Sequence, residues 1–569
     1  MLPVLYFKTI RRRLYSFNNK NQLINNGGRI MKKSKRALSL FLVSILIFTL
    51  AGCSAPENNG NSSPDTSSEQ KEGNEGNESG STNIDKNRLV KIAYNAIPDS
   101  LNPWTLSMEV PTGINSAQVY DTLFTKDMAG NINPGLAESY TVSDDGKVIT
   151  FKIREGLKWS TGDDFNAEDV AFSLNGYATN GAFGSVYSDF EKAEVVDEYT
   201  VQVTLINPTV VFISNMTSDS AAAIMSKVAH EKWGGEYGTS PDKVACIGPY
   251  IVTDWKPDVS ITYKANEDYW QGAPDVKNLE FQEIQDANAA AVAIQTGELD
   301  LNFAPVSGTA YDTLLKAENV TTDEYLSGRN EQIYFNFKGG IFTDIRMRQA
   351  VAYAVKAEDA LIVGADGLGQ TIRYPGDIGE SMSANPDYQP GTTYEYNIEK
   401  AKELVKEAGN EGKSVTIASY STEPYATLST WLQSALTEIG LDAKVQTMER
   451  ASFLDGMQKA EHDIFILSWV GQVYDIDEVM GVGMYTVKTG STGNYGFYSD
   501  PEADKLILEA RASNDDEARK EVYRKLIDKY TEDVVTVPLY AIKFAIPHTK
   551  DIVTENPRSY SMYNFKWAK

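Results

Sequence analysis

Three histidines, His230, His462 and His548, are the whole imidazole complement of this 569-residue chain. None has a metal-ligand partner at helical spacing. The string Gly412-Lys413-Ser414 has the ending of a phosphate-binding loop, but Glu407 stands five residues before Gly412, where that loop needs a glycine. It reads as the turn between a helix and the next strand. No Gly-x-Ser-x-Gly elbow and no Cys-x-x-Cys pair occurs. With 78 acidic residues against 53 basic ones, some carboxylates must lie close by chance, which gives a glycosidase reading no specific support. The chain is therefore expected to work by binding rather than catalysis, with no metal and no cofactor.

The cysteines carry a different message. Lys32, Lys33, Lys35 and Arg36 precede an apolar run from Ala37 to Leu50, which ends in the small residues of Leu50-Ala51-Gly52-Cys53. A basic, then apolar, then small-residue order is the layout of a secretory signal, and the run is too short to stay in a hydrocarbon layer roughly 30 Å thick. Leu-Ala-Gly-Cys resembles the lipobox of bacterial lipoproteins, which implies cleavage before Cys53 and acylation of its sulfur and nitrogen. Two or three acyl chains would anchor the chain firmly to the outer face of the membrane. Met31 begins a complete signal by itself, so residues 1–30 read as a non-native upstream extension and 31–52 as the signal peptide. Residues 54–85 are Ser, Asn, Gly and Glu with almost no bulky apolar side chain, a tether with a reach of roughly 30 Å. Cys246 is then left without an intramolecular partner, and stability must come from the cores.

The rest of the chain exceeds what one hydrophobic core supports, so two lobes are expected. The net charge of −25 disfavours nucleic acid and keeps an exported protein soluble. Aromatic residues make up 11% of the sequence, with 31 Tyr, 21 Phe and 8 Trp. Packing accounts for most, but Tyr and Trp in loops after strands also suit a binding cleft.

Periodicity supplies the frame. Asn397 is placed to cap a helix carrying Ile398, Ala401, Leu404, Val405 and Ala408, with Gly409 as its stop. Strands at Val415–Ala418, Ala443–Val445 and Ile464–Leu467 alternate with helices around Leu428–Ile439 and Phe453–Met457. Such successive βα units predict a mainly parallel sheet covered by helices. Asn166–Val170 and Asp286–Ala290 are further capped helix starts, with strands at Val201–Leu205 and Ile261–Tyr263 between them, so the N-terminal half reads as richer in β structure.

Four long blocks occur in order: Ala137–Ser173, Gly248–Trp270 with Asp286–Leu301 behind it, Phe335–Val355 and Tyr396–Gly409. On them the chain resembles the oligopeptide-, dipeptide- and nickel-binding receptors of ABC importers (solute-binding family 5), over about residues 90 to 545. The resemblance implies a periplasmic-binding-protein-like α/β fold of class II. In it two lobes are joined by a pair of crossing strands, which fall near Tyr334–Phe337 and Val537–Tyr540. Lobe I would comprise 86–332 and 535–569, with an inserted subdomain at about 116–242, and lobe II 333–534. Arg346 and Arg348 are read as structural. The implied partners are a peptide or other small solute, the permease and ATPase subunits, and the membrane through the anchor; the receptor is expected to act as a monomer.

In peptide-binding relatives a tryptophan at the end of a buried strand lines the cleft, and an aspartate three residues later pairs with the peptide's amino terminus. The strand here leads to Trp469, with Gln472 in the aspartate's place. A neutral amide lacks the charge-assisted bond that holds an ammonium group. Asp475 or Asp477 would then take over, or the ligand would be an oligosaccharide or modified peptide. Tyr94, Asn95, Trp104, Tyr187, Asn336 and Tyr374 are the remaining cleft candidates.

Overall fold

The structure, a computed structural model, describes residues 84–105, 110–127, 130–180, 186–304, 306, 308–377, 388–470, 475–489, 493–557 and 559–569. The segment expected to be a signal peptide and Cys53 lie outside the described residues. Among the described residues no helix is long and apolar enough to cross a membrane.

The N-terminal lobe opens with β1 (Leu89–Tyr94). It goes on through β2 (Ala137–Val142), β3 (Val148–Ile153), α1 (Ala167–Asn180), β4 (Phe190–Asp197) and β5 (Thr200–Leu205). In β3, Ile149, Phe151 and Ile153 are buried while Val148, Thr150 and Lys152 stay half-buried, the period-two pattern of a strand with one wet face. These strands form a separate antiparallel sheet in the order β2-β3-β5-β4. The chain then enters the main sheet through β6 (Tyr250–Lys256), β7 (Ser260–Ala265) and β8 (Asn278–Glu283). Helix α2 (Ala287–Thr296) is capped by the Asp286 carboxylate, which accepts from the Ala289 amide, and stops at Gly297, whose φ of 77° suits glycine. The short β9 (Leu301–Asn302) follows.

The long β10 (Val320–Phe335) leads into the second lobe. There, α3 (Ile345–Ala354), α4 (Ile398–Glu407), β11 (Ser414–Tyr420), α5 (Tyr425–Glu438), β12 (Asp442–Met448), α6 (Arg450–Gln458) and β13 (Ile464–Val470) realise the expected βα series. Asn397 caps α4 by accepting from the Lys400 amide. Arg348 on α3 is buried and donates to the carbonyls of Phe342, Thr343 and Asp533, a structural role. Helices α7 (Pro501–Ala512) and α8 (Asp516–Glu532) precede β14 (Thr536–Thr549), which returns to the first lobe.

One sheet of eleven strands runs through both lobes in the order β12-β11-β13-β10-β14-β9-β1-β8-β7-β6, with the short strand Gly369–Thr371 also paired to β14. It is mixed rather than mainly parallel. Parallel pairing is confined to β12-β11-β13 and β9-β1-β8. The difference arises because β10 and β14 each pass from one lobe to the other and pair antiparallel with their neighbours. Apolar burial separates accordingly. One core gathers residues between Val90 and Tyr325 with Ile546–Trp567, and another gathers Ile333 to Tyr540.

The register of β10 on β14 breaks between Leu326 and Asn330, opposite Lys543 and Ala541. Strand β13 joins β10 only from Arg329 onward. A second break lies between Glu331 and Gln332, and the two strands stay paired through Tyr334. From Asn330 to Phe335 every residue is buried, and the small pair Ser327-Gly328 lies within the first break.

Candidate functional site

Strand β13 ends at the carboxyl edge of the second lobe's parallel strands, the edge at which open α/β sheets take ligands. Trp469 is its half-buried penultimate residue, opposite Asn330 of β10. Its side chain lines a cavity of about 70 Å³ shared with Asp477, Glu478, Val482 and Arg511 of the same lobe and Asp189 and Phe212 of the first lobe. That is room for a few water molecules.

The charges around this cavity are fixed. Asp477 and Arg511 are almost fully buried and meet through Nε and Nη2 contacts of 2.9 to 3.1 Å, and the Tyr523 hydroxyl donates to the same carboxylate. Burial works against the charge on Arg511, but Asp477 more than offsets it and the pKa is raised. Arg511 also faces Asp189 across the lobes at 3.8 Å, and its carbonyl accepts the Val210 amide at 2.9 Å. Burial lowers the pKa of Lys488 nearby, and Arg511 adds to the effect.

Asp475, expected as an alternative anchor for an amino group, is 1% exposed and lies 3.2 Å from Nη2 of Arg519. Its charge is matched within the protein, and its Oδ1 also accepts the Asp477 amide. Gln472 lies outside the described residues, and so does Cys53.

The other expected cleft residues are placed apart from this cavity or turned away from it. Tyr94 is buried at the end of β1, and Asn95 beside it is exposed. Trp104 packs into the N-terminal core over Gly176, between Phe172 and His230, with its indole N–H on the Ser173 carbonyl. Tyr187 stacks on Tyr177 and donates to the Ala221 carbonyl, while its neighbours Val186 and Ser188 line the cavity. Its ring lies inside the N-terminal core, in the turn before β4. Asn336 donates to the Ala460 and His462 carbonyls at the opposite end of β13 from Trp469, roughly 20 Å along the strand. Tyr374 is buried in a separate core with Ile476 and Met480. For the buried ones the physical reason is shared: each finds apolar neighbours, a main-chain partner or both inside a lobe.

Asp189, Phe212, Glu478 and Arg511 were not singled out in the sequence. They come from the insert, the segment after Trp469 and α7, and no local pattern links them.

A two-lobed α/β molecule with a long antiparallel strand pair spanning both lobes, and a cavity between the lobes, has the form of a solute-binding receptor. The chain belongs to the bacterial extracellular solute-binding proteins, family 5, whose middle-region model matches residues 131–491. It is similar to the glutathione-binding protein GsiB of Escherichia coli (strain K12), 29% identical over 475 residues that span 81% of this chain and 91% of that protein. Among solved structures, HbpA2 from Haemophilus parasuis superposes with a TM-score of 0.74 at 23% identity, covering 85% of this chain and 100% of the other. DppA from Helicobacter pylori, an ABC transporter-associated periplasmic binding protein in complex with the peptide STSA, gives 0.72 at 23% identity over 85% and 98%. The chain is thus a substrate-binding protein of the ABC importer type.

Proposed function

We propose that this receptor captures short peptides between its lobes and hands them to a membrane permease, held at the outer membrane face through lipidated Cys53 and acting as a monomer. Residues 86–332 with 535–569 form lobe I on this reading, with the insert at about 116–242, and residues 333–534 form lobe II. The observation that carries it is the interlobe cavity walled by Trp469. An extended peptide would offer main-chain groups to both lobes and a face to the indole, and such two-sided contact is what favours closure. Shifting lobes from 1:99 open to 99:1 closed takes about 5.5 kcal/mol of extra affinity for the closed form. The names of relatives support peptide-like ligands: GsiB is described as glutathione-binding, and DppA was solved with STSA. A second reading, an oligosaccharide or a peptide without a free amino terminus, is favoured by Gln472 standing where an aspartate would hold an ammonium group.

Native mass spectrometry of the tag-free protein should reveal a co-purifying peptide. Calorimetry with trialanine and glutathione should show binding that Trp469→Ala weakens by about tenfold or more, the scale of a central aromatic anchor. A protein that carries no solute, binds neither probe and keeps one scattering profile in their presence would sink the peptide reading.

A further inference from the structure

The pairing of β10 with β14 contains a stretch only two residue pairs long, with an irregularity on each side. Asn330 faces Ala541 and Glu331 faces Tyr540, while the register shifts before the first pair, from Leu326, and after the second, to Gln332. A continuous ladder fixes the spacing of opposite side chains. A short island between two breaks can re-seat against both flanks when the ribbon flexes.

Directly opposite residues of an antiparallel pair share a sheet face, with Cβ atoms about 4.5–5.5 Å apart, so Glu331 and Tyr540 are neighbours. Both are fully buried, and neither is satisfied. Glu331 Oε1 accepts from Nε of Arg329 at 3.3 Å, while Oε2 has no hydrogen-bond partner among the described residues. The Tyr540 hydroxyl has none either. Burial raises the Tyr540 pKa and the Glu331 charge adds to the shift, so the two groups feel each other without being bonded. Their polar neighbours are paired. The Tyr425 hydroxyl accepts from Arg329 Nη2 at 3.0 Å and meets Ser468 Oγ at 2.8 Å, and Gln332 donates to Asn330 at 2.6 Å and accepts from Thr536 at 2.7 Å.

The fold also makes room for the unpaired hydroxyl. It lies against Gly364 in the helix Ala357–Ala365, where a Cβ would come within 2.1 Å of the oxygen, so that helix carries a poor helix former at the contact. A phenylalanine would fill the ring's place and leave nothing unbonded. Keeping a phenol and a carboxylate oxygen side by side and unbonded is costly, and the cost is recovered if another arrangement joins them. In the present arrangement the lobes touch, with the Val210 amide on the Arg511 carbonyl.

We propose that Tyr540 and Glu331 form a hinge contact of the open receptor: when the lobes part, the Tyr540 hydroxyl donates to Glu331 Oε2, and closure breaks that bond. The pair opposes closure whatever is bound. The proposal rests on the reading of two lobes that close on a solute, and it adds an element that sets how strongly the closed form is disfavoured. Apparent affinity is the closed form's affinity reduced by the fraction of receptor that adopts it, so this contact tunes binding without touching the ligand.

The test is Tyr540→Phe, which removes the hydroxyl and keeps the ring. Calorimetry and stopped-flow release should show trialanine and glutathione both bound about tenfold more tightly than by the parent, through slower release. Single-molecule energy transfer between dyes on the two lobes should show the closed-to-open ratio of the ligand-free variant raised by the same factor. Tyr425→Phe is the control, because its hydroxyl is bonded in this structure; equal tightening there overturns the proposal. A folded Tyr540→Phe that matches the parent overturns it, as does weaker binding, the mark of a hydroxyl that holds the closed form through a bridging water. Tightening confined to one ligand makes Tyr540 a ligand contact and is also refuting. A variant that does not fold is refuting as well, since the hydroxyl would then be holding the fold in this arrangement. If the parent binds neither probe, the peptide reading fails, and the energy-transfer ratio of the two ligand-free proteins decides this proposal by itself.

Discussion

Replacing Asp189 by asparagine isolates the contact that ties the insert to the second lobe. Asp189 and Arg511 are 3.8 Å apart with side chains 20% and 7% exposed. Two unit charges at that separation attract by about 4 kcal/mol at an effective dielectric near 20, a gross figure. Arg511 already shares its charge with Asp477 at 2.9 Å, and the Asp189 distance exceeds a hydrogen bond, so the net contribution should be about 1 kcal/mol, the upper range for a partly exposed pair. The contact needs both lobes together, so its loss weakens the closed form and leaves the open form untouched. Asp189→Asn should therefore weaken binding about fivefold, equally for every ligand, and chiefly through faster release. The amide retains an oxygen for the Asn207 side chain, which donates to Asp189 at 2.9 Å. Truncating Arg511 would be a poor substitute, since Asp477 would be left buried and unpaired at about 3–5 kcal/mol. Calorimetry and stopped-flow release with trialanine and glutathione, at low and high salt, provide the measurement. Parent affinity should fall with salt more steeply than that of the variant. Unchanged release, or a loss confined to one ligand, would refute the reasoning, the latter because it would make Asp189 a ligand contact.

Two stability predictions follow from buried positions. His462 is buried with both ring nitrogens unpartnered, and burial lowers its pKa to about 4 from 6.5. The unfolded chain takes up the proton first, so this stability is complete above pH 6.5 and is lost as pH falls toward 4, by on the order of 2–3 kcal/mol. His462→Phe should flatten that part of the urea-midpoint profile, and an identical profile in both proteins would count against it. Gly176 lies on α1 where an added Cβ would fall 1.7 Å from the Trp104 ring. Gly176→Ala should gain about 1 kcal/mol of helix propensity and lose roughly 3 kcal/mol to overpacking, a net destabilisation near 2 kcal/mol by denaturant titration.

Much of the frame was legible because its signals are local. Asn397 and Asp286 cap helices with their own side chains, and Gly297 and Gly409 end or follow helices at φ of 77° and 68°. The sheet's mixed character was not legible, because β10 and β14 read as ordinary strands and nothing within them announces that each serves two lobes. The site was harder still. Tyr187 and Trp104 look like cleft aromatics because a phenol or indole suits a wet wall as well as a core, and only the distant Ala221 and Ser173 carbonyls decide between them. Asp189, Arg329 and Arg511 meet partners supplied by remote segments or by a fold-dependent strand pairing. Trp469 was singled out through the family resemblance, and it follows the buried run Ile464–Leu467 and lines the cavity.

The register break in β10 has a mechanical consequence. Strands β10 and β14 stay bonded to each other on both sides of it, and the Ser327 hydroxyl braces it by donating to the Ile542 carbonyl. A ribbon of two paired strands resists twisting and stretching more than flexure, so the swing is concentrated in a few torsions between Leu326 and Asn330 and has one soft direction. On the proposed reading the halves would travel a single arc whatever lies between them, and the end-point shape would be the same for ligands of different composition.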